Sequence, residues 1–463
     1  MTDVDALDDA IDEASPRLHA ELFELLRLPS ISTDPAHAAD VRRTAEWLAT
    51  RAGRAGLVTS VEETPGHPIV IARHAESADA PTLLVYGHYD VQPPEPLDAW
   101  RTPPFEPTVR EGVLYGRGAA DDKSQVFLQL AAAELARARG ALPINLILLF
   151  EGEEEIGSPG LSEFVRERAA ELRADHVLIA DSMMYAPGQP SLILGMRGMA
   201  YFEIEVRTGE HDLHSGQYGG AVPNPASVLA AILASLHDAE RRVTLDGFYD
   251  DVKAAPPELE AAWRALPFDE AMFRAGAGGA RAGGEPGYTT TERLWVRPAL
   301  DVNGLVSGYG GPGKKTVLPA SALAKLSCRL VPDQDPVRVE AAMRAHVARL
   351  APDDVTVTVR LLQANRPWRE DPDAPLYRAA AGALEEVFGR APVRVGHGGT
   401  LPIAPELRDA LSAPVAVMGF ALPGANMHAP NEWFPLDHVA KGMKTMIRLY
   451  AGLRSAARHN PIQ

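Results

Sequence analysis

The side chains with the most chemistry in this sequence fall into five short clusters, each beside an apolar run. Gly87-His88-Tyr89-Asp90-Val91 follows Leu83 to Tyr86. His88 and Asp90 are two apart, so on a strand they face the same way. That suits an imidazole ligand and a carboxylate that orients it, and equally a surface His beside an Asp. Gly116-Arg117-Gly118-Ala119-Ala120-Asp121-Asp122-Lys123 places two adjacent carboxylates after a Gly-x-Gly turn. Helix N-capping explains one of the two; the glycines allow close approach of the backbone. Glu151-Gly152-Glu153-Glu154-Glu155 follows the apolar run ending at Phe150. Three consecutive carboxylates repel one another unless a cation or a proton compensates. Asp181 follows Val177 to Ala180, and Asn426 to Glu432 follows Val415 to Phe420. Turn chemistry accounts for the Asn and Pro residues of that last cluster, leaving His428 as the donor of interest.

The elements that must position these groups are legible from periodicity. Leu7, Ile11, Leu18, Leu22, Leu25 and Leu26 recur at near-helical spacing, with Pro16 interrupting or restarting the helix. A second helix is expected over 39–55. Ile69 to Ala72, Leu83 to Tyr86 and Ile144 to Phe150 read as strands covered on both faces. Helices over 122–139 and 159–173, and a strand over 177–180, complete an α/β rhythm with parallel pairs. In such sheets ligands bind beyond the carboxyl ends of the strands, where the clusters lie. Beyond Gly195 the pattern changes. Ala200, Phe202, Ile204 and Val206 alternate as in a half-exposed strand, and 226–236 reads as a buried helix. Ala275 to Gly287, rich in Gly, Ala and Arg, reads as a loop. Strands over 300–306 and 323–331, a helix over 336–350 and a strand over 355–362 complete a ferredoxin-like split pattern. After Pro367 the α/β rhythm resumes. The expected organisation is an α/β domain (1–195 and 367–463) interrupted by a smaller α+β domain (196–366).

Composition narrows the function. The 463 residues carry 62 Asp plus Glu against 45 Lys plus Arg, a formal charge of −17, which disfavours phosphate backbones and hence nucleic acid. With Cys328 alone, an internal disulfide framework and a multi-thiolate zinc site are both excluded, so a metal must use His, Asp and Glu. No run has the roughly 18 apolar residues of a membrane span. The acidic stretch Met1 to Ala14 lacks the pattern of a secretory signal. No membrane partner and a cytoplasmic location are expected.

The set GHYDV, GRGAADDKS, EGEEEIGS, the Asp after VLIA, GEHDLHSGQYGG and HAPNE resembles the M20 metallopeptidases, and most of all their dipeptidase branch, which includes cytosolic nonspecific dipeptidase and carnosinase. The resemblance runs through nearly the whole chain in order. It implies a zinc-peptidase-like α/β catalytic domain with an inserted ferredoxin-like lid and dimerisation domain. It also implies two divalent ions, Zn²⁺ first, with Mn²⁺ and Co²⁺ the other candidates. His88, Asp121 and Asp181 would hold one ion; Asp121, Glu155 and His428 would hold the other. Counting back from Gly157-Ser158 gives the general base as Glu154 rather than Glu153, with Asp90 supporting His88. The peptide after Asp121 is often cis in this family.

By the same resemblance, His214 would reach into the partner subunit's active site of a homodimer and stabilise the oxyanion. Arg329 would bind the substrate's free carboxylate, with Thr316 and Thr400 as further contacts. Where carnosinase-type enzymes carry another His, this chain reads Gln363-Ala364-Asn365-Arg366-Pro367-Trp368, against a carnosine-like specificity. His397 is an additional His, read as a loop residue. The implied activity is hydrolysis of dipeptides or short peptides. The alternative is an N-deacylase (desuccinylase or deacetylase) of acylated amino acids on the same machinery. A binding protein without activity would have lost a ligand or the base, and all of them are present.

Overall fold

The computed structural model describes residues 4–459. The first three residues of the Met1 to Ala14 stretch, and the outermost ends of the expected 1–195 and 367–463 segments, lie outside it. The chain forms two compact units. The larger comprises Met1–Leu194, Glu370–Arg394 and Ile403–Gln463; the smaller comprises Gly195–Arg369 and Val395–Pro402.

The larger unit is built on a twisted mixed sheet. Its strands run in the order Val58–Glu62, Ile69–His74, Asn145–Glu151, Thr82–His88, His176–Ile179, Val415–Val417 and Ser191–Met196. Thr82–His88 is central and parallel to both neighbours. His176–Ile179 is parallel to Val415–Val417, while Ile69–His74 and Ser191–Met196 pair antiparallel. Leu83, Leu84, Val85 and Tyr86 are wholly buried in sequence, as an inner strand covered on both faces requires. The covering comes in part from the helix Lys123–Ala138, where Leu128, Ala131 and Ala132 are wholly buried.

Three expectations change here. The first helix runs unbroken over Val4–Leu26 with Pro16 inside it. Leu7, Ile11, Leu18, Leu22, Leu25 and Leu26 are all buried, so packing of one face outweighs the lost backbone bond. The helix expected over 159–173 is confined to Leu161–Glu167. The helix Ile403–Leu411, with Pro405 in it, escaped the sequence reading.

In the smaller unit four antiparallel strands lie in the order Ala299–Ser307, Ser321–Leu330, Gly198–Arg207, Thr356–Asn365. Numbered along the chain this is 2-3-1-4, the ferredoxin-like arrangement expected from the sequence. Ala200, Phe202, Ile204 and Val206 turn to the core with Leu326 and Cys328, and the helices Pro225–Ala234 and Pro336–Leu350 add Leu229, Ile232, Met343 and Val347. The buried helix expected over 226–236 runs over Pro225–Ala234 and buries only Pro225, Leu229 and Ile232, because it packs on one face of one sheet. Three short helices occupy Pro257–Ala265, Glu270–Gly276 and Thr290–Trp295, the last opened by a Thr289–Glu292 capping box. Ala275 to Gly287 is a loop but for the last two residues of the second of these.

Candidate metal centre

The sheet delivers the chemistry to one edge. His88 is the last residue of its strand and is paired in register with Glu151, the last residue of the neighbouring parallel strand. Asp181 follows two residues after the next strand, His176–Ile179. Three adjacent strands thus end side by side, at the place where an open α/β sheet binds ligands.

Two donor groups assemble there: His88, Asp121 and Asp181, and Asp121, Glu155 and His428. Within each group one ligand atom per residue lies within 4.8 Å of the others. Asp121 belongs to both. Its Oδ1 is 2.9 Å from His88 Nε2 and its Oδ2 is 2.9 Å from His428 Nε2. Asp181 Oδ2 lies 3.6 Å from His88 Nε2, and Glu155 Oε2 lies 3.3 Å from His428 Nε2. Burial pushes the Asp181 carboxyl up to about 7 and the Glu155 carboxyl up to about 8. Burial likewise raises Glu154, which neighbouring Asp121 reinforces and His88 opposes. Four acidic groups crowded around two imidazoles form an oxygen and nitrogen donor set with surplus negative charge. That donor chemistry fits divalent cations.

Asp90 is wholly buried behind His88. Its Oδ1 lies 3.3 Å from His88 Nδ1, and its two oxygens accept the backbone N–H of Glu154 at 3.2 Å and of Glu155 at 3.1 Å. One carboxylate therefore orients an imidazole and the short 3-10 turn Glu154–Ile156. Glu153, buried, points elsewhere, against Gly66 and Gly160.

The loop leading to Asp121 is organised from the far end of the chain. Wholly buried Glu432 accepts Arg117 Nη1 at 2.7 Å and the backbone N–H of Gly118, Ala120 and Asp121 at 3.0, 2.7 and 3.0 Å. Gly118 has φ +82°, and a Cβ there would sit 2.8 Å from Val91, so the turn requires glycine. The Asp121–Asp122 peptide is cis. Asp122 accepts the His88 backbone N–H at 3.3 Å. Sequence reading quoted Arg117 and Glu432 within their clusters but gave them no role, and did not single out Gln92, whose Nε2 donates to Glu155 at 2.8 Å. The pairing of Arg117 with Glu432 spans 315 residues, and no spacing rule could have flagged it.

The remaining singled-out residues lie in the smaller unit as two pairs. His214 is exposed, accepts the Gly216 N–H on Nδ1 at 3.0 Å, and sits on a two-residue ladder opposite Val317, beside Thr316. Arg329 donates to Thr400 Oγ1 at 2.9 Å, and Thr400 donates to the Arg197 carbonyl at 2.7 Å. Among the described residues no hydrogen bond joins the two pairs. His397 accepts the Gly399 N–H at 3.1 Å within its own turn.

Comparison with known proteins places the chain in a family. The sequence model described as peptidase family M20/M25/M40 matches residues 84–451, and the chain belongs to that family. It is 31% identical over 434 residues to a cysteinylglycine-S-conjugate dipeptidase of Corynebacterium striatum, covering 92% of this chain and 93% of that one. It is 30% identical over 448 residues to a Beta-Ala-His dipeptidase of Rattus norvegicus, covering 95% and 89%. Among solved structures, an M20 family metallo-carboxypeptidase from Sulfolobus solfataricus superposes with a TM-score of 0.83 at 31% identity, covering 95% of this chain and 99% of that one. A dipeptidase from Saccharomyces cerevisiae superposes with a TM-score of 0.81 at 27% identity, covering 98% and 99%.

Proposed function

We propose that this protein hydrolyses the peptide bond of dipeptides or short peptides with the help of two divalent ions. The observation that carries the proposal is Asp121, whose two oxygens lie 2.9 Å from His88 and from His428 and so join two donor groups. His88, Asp121 and Asp181 would hold one ion and Asp121, Glu155 and His428 the other, with Zn²⁺ our choice over Mn²⁺ and Co²⁺. When bound, such a pair of cations polarises the scissile carbonyl and makes a water acidic near neutral pH. Glu154 is the general base: it accepts the proton of the attacking water and delivers it to the leaving amine. Its placement among His88, Asp121 and Asp90 supports this role over Glu153, which lies against Gly66 and Gly160. Asp90 keeps His88 Nδ1 engaged, leaving Nε2 free to face a metal.

In this reading the larger unit is the catalytic domain and the smaller a lid and dimerisation domain. Arg329, steadied by Thr400, recognises the free carboxylate of the substrate, and Thr316 adds a hydroxyl contact. His214 serves the partner subunit's active site, where it stabilises the oxyanion; its exposure, with no side-chain partner among the described residues, suits that task. The edge strand Ala299–Ser307, with Val302, Leu305 and Val306 at 47%, 59% and 68% exposure, suits contact with a second copy. The single cysteine, a free buried thiol, fits a cytoplasmic protein. No described helix is long and apolar enough to cross a membrane.

The test is a panel of dipeptides, tripeptides and N-acetyl or N-succinyl amino acids, assayed with Zn²⁺ and Mn²⁺ separately and after chelation. Chelator-sensitive turnover of dipeptides ahead of acyl amino acids is expected. Faster turnover of acyl amino acids would replace the dipeptidase reading with the deacylase one, and turnover indifferent to chelation would remove the metal centre.

A further inference from the structure

The loop Ala275 to Gly287 has no part in the chemistry above, yet its glycines lie against arginines. Within the smaller unit a cavity of about 490 Å³ is lined by Arg197, Arg241, Arg293 and Arg297, with Glu285 and Asp301 as its carboxylates. That leaves a surplus of two positive charges in a chain whose formal net charge is −17. The volume falls in the range of roughly 300–1,000 Å³ typical of small-ligand sites.

The pairing inside the cavity is uneven. Glu285 is buried and committed to Arg297, whose Nε and Nη2 both donate to it at 2.8 Å. Arg293 Nε donates to the Glu285 main-chain carbonyl at 2.8 Å and has no carboxylate partner among the described residues. Arg197 donates to the carbonyls of Gly398, Arg293 and Arg297 at 3.1, 3.4 and 3.5 Å, again with no carboxylate. Burial, with Arg329 nearby, pulls Arg197 down to about 10. The guanidinium of Arg241 has no protein partner among the described residues, and its backbone stands at φ 62°. A Cβ on Gly283 would lie 2.7 Å from Arg241 Nη1, and one on Gly284, at φ +96°, would lie 3.2 Å from Arg293 Cδ. The Gly-Gly turn is what lets the main chain lie against both arginines.

Guanidinium forks that outnumber the carboxylates around one space, three of them with no carboxylate hydrogen-bonded to them among the described residues, match a multi-oxygen anion. Val243, Leu300 and the Tyr249 ring give the same cavity apolar wall, which a bare ion would not use and an organic substituent would. We propose that this cavity is a phosphate-binding site, taking a small phosphate monoester or free inorganic phosphate on Arg241, Arg293 and Arg197.

The test is calorimetric titration of the metal-loaded protein with inorganic phosphate and, separately, with glycerol 3-phosphate, at fixed ionic strength in chloride. Wild type should show a saturable component that weakens by at least about tenfold in Arg241→Ala and by less in Arg241→Lys, which keeps the charge but loses the fork. Dipeptide turnover without phosphate should be unchanged in both variants. Tighter binding of the ester assigns the site to a monoester; equal or tighter binding of the inorganic ion assigns it to free phosphate. Phosphate held at the metal centre would be indifferent to Arg241, so binding that survives Arg241→Ala unchanged overturns the proposal. So does the lack of any saturable binding at millimolar concentration.

Discussion

The Asp90 carboxylate accepts the backbone N–H of Glu154 at 3.2 Å. A residue two places after a proposed metal-binding imidazole thereby fixes the turn that carries the proposed base, across 64 residues of chain. The same carboxylate lies 3.3 Å from His88 Nδ1, so imidazole and base are held to one reference point.

Glu154→Gln removes the proposed proton acceptor and leaves both proposed donor groups intact. Turnover should fall by about 10²–10⁴-fold while elemental analysis still finds the metal of the wild type. Glu153→Gln, changed at the neighbouring carboxylate, should keep most of the activity.

Asp90→Ala removes the carboxylate beside His88 Nδ1, leaving that nitrogen only the residue-90 carbonyl at 3.1 Å, and frees two backbone N–H groups. Metal affinity, read by competition with a chromogenic chelator, should drop by about 10–100-fold. An affinity equal to wild type would show that the His88 ring is oriented by something else.

Glu432→Ala leaves Arg117 buried without its carboxylate. Breaking such a pair costs about 3–5 kcal/mol, which urea unfolding of the metal-free protein should register. The double variant with Arg117→Ala should lose less than the sum of the two single losses.

Arg329→Lys exchanges a fork for a point charge. Losing one charge-assisted bond of about 1.5–3 kcal/mol should raise KM for dipeptides by about 10- to 100-fold with kcat little altered. A loss confined to kcat would place Arg329 outside carboxylate recognition.

Burial pushes the Cys328 thiol up to about 12. At pH 8 it should therefore stay protonated and resist iodoacetamide in the folded protein. Mass spectrometry should find it alkylated only after denaturation.

Much of this was legible in the sequence because long periodic segments report their own environment. The inner strand Leu83 to Tyr86 and the helix Pro336–Leu350 follow from apolar spacing alone. The 2-3-1-4 sheet of the smaller unit followed from the order of its elements. What stayed hidden depends on tertiary context. Pro16 reads as a breaker, yet the packing of Leu7 to Leu26 carries the helix through it. Glu432 closed a cluster in which only His428 was given a role, and only the folded chain brings it to Arg117. Arg197 was not singled out, and its carbonyl partners come from segments 96 to 201 residues away.

The span of 307 residues between Asp121 and His428 has a consequence for the order of events during synthesis. A chain growing from its N-terminus completes His88, Asp121 and Asp181 early, but Asp121 and Glu155 wait for His428. Because Glu432 also holds the loop that carries Asp121, neither of the proposed donor groups is set before the C-terminal segment docks. In the proposed mechanism hydrolytic competence is therefore withheld until that late segment has docked.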